Sequence, residues 1–168
     1  MTHHGEESKA RRGTTHRCTP PGEYQRPTNL WGVVPEPHIS HRDADLSFQD
    51  LSGMNFIGAD FTNANLQGAN LSYAECEGAL FNFANLTGAH LMSGDFCRAN
   101  FTDAEMVRAN LTDANLYEAT VVHANLTGAE LTRVTLRDAD LTGANLKSAD
   151  LTGAIMDGAN TSGVKGLK

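Results

Sequence analysis

Seven histidines, three cysteines and a pair of close carboxylates are the residues here whose chemistry could build a site. Imidazole and thiolate bind metals or move protons, and paired carboxylates flanking a cleft act as acid and base. The spacings do not deliver these sites. His3, His4, His16, His38 and His41 fall at intervals that match no metal-ligand set, and His90 and His123 stand far apart. Cys18, Cys76 and Cys97 have no paired spacing, so neither a zinc site nor a disulfide framework is expected. A reducing, cytoplasmic setting is the expectation that goes with this. Glu75 and Glu77 straddle Cys76 and both read as surface carboxylates. Cys97 is expected to face outward, with no neighbouring cation or histidine in its own coil to activate it. The motifs of serine nucleophiles, zinc hydrolases and phosphate loops are missing from the sequence. The chain is therefore read as no enzyme, holding no cofactor and no metal.

Composition narrows the classes further. The 168 residues carry a net charge of −7, the wrong sign for gripping phosphate backbones, so direct nucleic-acid binding is not expected. No run of 18 apolar residues exists, which argues against a membrane-spanning helix, and Arg11–Arg12 is not followed by an apolar stretch that would make it a signal. Aromatics make up only 7%, so large rings cannot carry the core alone. All five prolines lie at or before Pro37. Residues 1–27 show no helical or strand period and read as a disordered tail. Residues 28–43 are expected to form an N-terminal cap, with Leu30, Trp31, Val33 and Val34 as a plug.

From residue 44 to 160 the sequence has a period of five. Every fifth residue from Leu46 to Met156 is apolar, at 23 consecutive sites, and the residue two places earlier is Ala at 19 of them. Asp or Asn stands between the two at 15 sites. A step of five spirals around a helix and alternates faces on a strand, so neither ordinary element shelters this set. The pattern works only if the chain turns a corner every five residues. Ala and Leu/Phe then point inward together, and the other three positions point out. Gln49, Met54, Gly94 and Val134 are the exceptions in the small-residue position.

The units Ala-Asn-Leu-Thr-Gly at 84–88 and 124–128, and Ala-Asp-Leu-Thr-Gly at 139–143 and 149–153, resemble the pentapeptide repeat family. That resemblance implies an all-β fold: a right-handed quadrilateral β-helix, with four pentapeptides per coil. Twenty-three repeats would make just under six coils, roughly 28 Å long, followed by a short polar fringe at 161–168. Residues 44–160 hold 15 acids and 5 bases, a net −10, spread over three faces and leaving the face of Leu46, Leu66 and Leu86 neutral.

Two outward patches depart from the generic pattern. One, centred on the third face, comprises Tyr73, Glu77, Met92, Cys97, Tyr117 and Arg137; the other is Leu80 with Phe83. Both are candidate surfaces for a protein partner. The expected function is a non-catalytic interaction scaffold, a monomer or weak end-to-end oligomer. The alternative, implied by the resemblance, is a DNA-mimicking protein that binds a type II topoisomerase (DNA gyrase or topoisomerase IV) and confers antibiotic or toxin resistance. About 28 Å of duplex carries roughly 16 charges, so a rod of net −10 keeps that alternative open.

Overall fold

Each pentapeptide solves the same problem, the disposal of five backbone N–H groups in a chain that turns every few residues. Three of them cross to neighbouring coils. In the unit beginning at Ala64, Asn65 donates to the Ala44 carbonyl (2.9 Å), Leu66 to Asn85 (2.7 Å) and Gly68 to Thr87 (3.0 Å). A fourth closes the corner, Ala69 donating to Leu66 at 3.0 Å. The fifth belongs to the residue after the core Leu or Phe, and a side chain accepts it. Thr62 donates to Asp60 Oδ1 at 2.9 Å, Thr87 to Asn85 at 3.1 Å and Thr142 to Asp140 at 2.9 Å. Every Asp and Asn at this position, from Asp45 to Asn160, makes that bond. The Asp/Asn preference is thus a local Asx-type cap. Several of these side chains also bond along the stack, as Asn65 Nδ2 does to Asp45 Oδ1 at 3.0 Å.

The computed structural model describes residues 40–167. Parallel bridges join residues twenty apart, from Ser40↔Asp60 to Asn145↔Lys165, so four pentapeptides make one coil. The result is a four-sided β-helix of just over six coils, about 30 Å long at roughly 4.8 Å per coil. Here the first face holds residues 44–48 and their twenty-residue equivalents; the second, third and fourth begin at 49, 54 and 59. The bridged register is wider than the 44–160 expected: it takes Ser40–Asp43 from the cap segment and Thr161–Lys165 from the polar fringe. The tail at 1–27 and the plug residues Leu30, Trp31, Val33 and Val34 lie outside the described residues.

Each corner is formed by the third residue after the Ala–Asp/Asn pair. Its φ is positive at every fifth residue from Asp43 to Gly163, and fifteen of these residues are not glycine. With the closing hydrogen bond, this is the φ signature of a type II turn. None of the fifteen is β-branched, the class for which the left-handed region is most costly.

The interior is dry and continuous, with the small and large inward columns fully buried from Phe61 to Leu141. Phe61, Phe81 and Phe101 stack face to face at 4.9 Å, the spacing set by the coil rise. Phe96 meets this column edge-on. His41 occupies the same inward column one coil earlier and stacks on Phe61 at 4.9 Å. Its Nε2 is buried without a hydrogen-bond partner. A rule that scans for apolar residues passes over it. Gly94 takes an alanine position because a Cβ there would come within 2.5 Å of the Phe96 ring.

Candidate protein-interaction surfaces

On the third face, the outward column runs Ile57, Glu77, Cys97, Tyr117, Arg137, Asp157, and the corner column after it holds Arg98, Glu118 and Asp138. Arg98 binds these columns together. Its Nη1 lies 3.3 Å from Glu77 Oε1 and its Nε donates to Glu118 Oε2 at 2.7 Å. That bond holds the Glu118 carboxyl below its ordinary range. Tyr117, hydrogen-bonded to Glu118, has its phenol pushed up by that contact first and by desolvation second. Further along the column, Arg137 Nη2 pairs with Asp157 Oδ2 at 2.9 Å. Tyr73 sits at the preceding corner, 65% exposed, and its N–H donates to the Met92 carbonyl at 2.9 Å.

Glu77 and Tyr117 therefore belong to one charge network, whose centre, Arg98, is not in the sequence-derived patch. The signal that finds it is a pair of opposite charges twenty residues apart. Arg98/Glu118 and Arg137/Asp157 have it, as does Asp113/Arg133, bidentate at 2.6 and 2.7 Å.

Cys97 corrects the expectation. It is 0% exposed and disulfide-bonded, so it offers neither an outward thiol nor an accessible contact. Spacing rules give no sign of this bond, because Cys18, Cys76 and Cys97 show no paired spacing. Cys76, by contrast, is a free thiol inside the core, its ionisation pushed far up by burial and then by Asp95 and Glu75.

The second patch is more open. Leu80 stands where Asp or Asn would cap the corner and is 39% exposed; Phe83 holds the corner itself at φ 60° and is 59% exposed. Along the stack they are flanked by Asp60 and Asn100, and by Asn63 and Asp103. Phe48, 74% exposed, is a further outward aromatic that belongs to neither sequence-derived patch; its ring lies over Gly68, where a Cβ would come within 2.7 Å of it. Among the described residues no group of three or more His, Cys, Asp or Glu is placed to hold a metal, and no helix is long and apolar enough to cross a membrane.

Known proteins bear on this geometry. Pentapeptide repeats match in eight copies, over residues 42–74, 60–96, 79–117, 95–133 and 129–164. The chain belongs to the pentapeptide repeat family. As a pentapeptide repeat protein it is an all-β solenoid, the right-handed quadrilateral β-helix. HetL, a pentapeptide repeat protein involved in heterocyst differentiation regulation in the cyanobacterium Nostoc sp. strain PCC 7120, is 22% identical. The match covers 76% of this chain and 83% of HetL, at a TM-score of 0.42. QnrB1, a plasmid-mediated fluoroquinolone resistance protein, is 24% identical over 72% of this chain and 59% of its own, at a TM-score of 0.41. A pentapeptide repeat protein of the Arabidopsis thaliana thylakoid lumen is 35% identical over 66% of this chain and 70% of its own, at a TM-score of 0.29. The sequence has no significant match among curated proteins.

Proposed function

We propose that this pentapeptide repeat protein is a non-catalytic scaffold that docks a protein partner on its fourth face, at Leu80 and Phe83. One observation carries the reading. In a register that assigns polar residues to outward sites, these two apolar side chains are both exposed within a single repeat. A regular surface suits recognition, because the backbone beneath it is held by bonds in every direction. Replacing Leu80→Asn and Phe83→Gly together restores the repeat's own preferences while removing the patch. Affinity purification with the intact chain is expected to enrich one partner that the double variant loses, with the β-type circular dichroism unchanged. Undiminished recovery of that partner would refute this surface.

A second reading, in which the rod imitates DNA and engages a type II topoisomerase, is favoured by charge. Three faces are acidic and residues 44–160 sum to −10, a linear density near two-thirds of duplex DNA by the estimate of one charge per about 1.7 Å. It predicts salt-sensitive inhibition of gyrase supercoiling, or protection of gyrase from a quinolone. No effect at low salt eliminates it.

A further inference from the structure

Along the edge where the fourth face turns into the first, the twenty-residue register aligns two neighbouring columns. The corner column reads Asp43, Asn63, Phe83, Asp103, and the next outward column reads Asp45, Asn65, Asn85, Glu105. Exposed acids therefore stand in pairs at two levels, Asp43 with Asp45 and Asp103 with Glu105, and the uncharged levels between them carry the exposed Phe83. Among the described residues, none of these four acids enters an ion pair. Arg42, beside Asp43, turns its guanidinium to Asp60 at 3.4 Å, and His123, one level beyond Asp103, has its ring over Gly143. We propose that the segment docking at Leu80 and Phe83 is an amphipathic helix of a partner protein, laid along this edge, with basic residues on both sides of an apolar anchor. This deepens the fourth-face docking reading and rests on it.

Spacing selects the occupant. The two acid levels are three coils apart, about 14 Å, and Phe83 lies two coils above the first and one coil below the second. A helix covers about 14 Å in roughly ten residues. Positions i, i+7 and i+10 share one helical face and meet all three levels; so do i, i+3 and i+10 when the helix runs the other way. An extended segment goes from the first acid level to Phe83 in about three residues, an odd step that turns the anchor to the opposite side.

Charge selects it too. Covering Leu80 and Phe83 supplies the apolar contact, and it brings the partner over carboxylates that lose water in the process. Lys or Arg at the two ends of the stripe compensates them at the rim, where charge acts mainly on the association rate and its salt dependence. A helix with the same apolar anchor and acidic ends would meet like charge at both levels.

The test is an NMR titration of the full chain with two synthetic helical peptides built on alanine and glutamine. One carries Leu at i+7 with Lys at i and i+10; the other keeps the Leu and has Glu in place of both Lys. The Lys peptide should shift the amides of residues 43–45, 80–85 and 103–105. At low salt it should bind about tenfold tighter than the Glu peptide, the gap closing as salt rises. Leu80→Asn with Phe83→Gly should abolish that binding, with the β-type circular dichroism kept. Asp103→Asn with Glu105→Gln should weaken the Lys peptide about threefold and leave the Glu peptide no weaker. Equal binding of the two peptides, both lost in the Leu80/Phe83 variant, overturns the basic class and leaves fourth-face docking standing. Lys-peptide binding that survives the Leu80/Phe83 variant, or shifts confined to other faces, overturns the edge as the site. Binding of neither peptide to the parent overturns the helical occupant.

Discussion

At Gly94 the repeat gives up its alanine so that the Phe96 ring can lie across the interior, and this makes one glycine a packing residue and not a turn residue. Gly94→Ala is expected to destabilise the rod by about 1–3 kcal/mol in urea unfolding. Adding Phe96→Leu should recover most of that loss, a coupling absent if the glycine merely supplied flexibility. The exception at this position is legible in the sequence; its cause is not, because it depends on how a ring two residues away is turned. His41 teaches the converse. Its place in the phenylalanine column follows from the five-residue count alone, but its polarity hides it, and only the stack on Phe61 reveals an imidazole closing the aromatic ladder. Cys97 stands in an outward column by count, but neither its burial nor its bonding is legible in the sequence.

The pentapeptide, as an element, is held by caps that titrate. The carboxyls of Asp60, Asp140 and Asp150 are each drawn below their ordinary range by bonds from the hydroxyl and N–H of Thr62, Thr142 and Thr152. Since these carboxyls ionise more readily folded than unfolded, their contribution is present above the unfolded value near 3.9 and is lost as the pH falls through the folded value. The melting temperature should therefore drop as the pH falls below about 4. Changing all three to Asn keeps the acceptor for each N–H and removes the titration, so that variant should show a shallower drop. An identical pH profile would mean the caps lend no pH-dependent stability. The inward columns are legible from residue order alone, since small and large apolar residues alternate with one phase from Leu46 to Met156. The corners are not. Gly is the commonest residue at the left-handed position, but Asp, Arg, Glu, His and Phe also occupy it, so no single residue type marks the backbone adopted there.

In the whole molecule, stability is a sum over stacked neighbours, and the ends have fewer of them. Leu151, Ala154, Met156 and Val164 are only partly buried, whereas Phe81, Phe96 and Phe101 are sealed within the stack. Native-state hydrogen exchange should accordingly release the amides of residues 151–165 first and those of residues 76–116 last. Uniform protection along the rod would contradict this neighbour-sum picture. The Leu80–Phe83 patch is legible as two departures from a strict pattern, while the Arg98 network becomes legible only once the twenty-residue coil is known, because it joins residues from three successive coils. The twenty-residue bridge spacing also governs how such a chain can change in length. Excising 104–123 would splice one storey out of the tower and leave every remaining column aligned. Excising only 104–108 would twist all that follows by a quarter turn, shuffling which charges share a wall while the core still closes. Growth and loss by whole storeys preserve the surface design, and single-unit slips rewrite it.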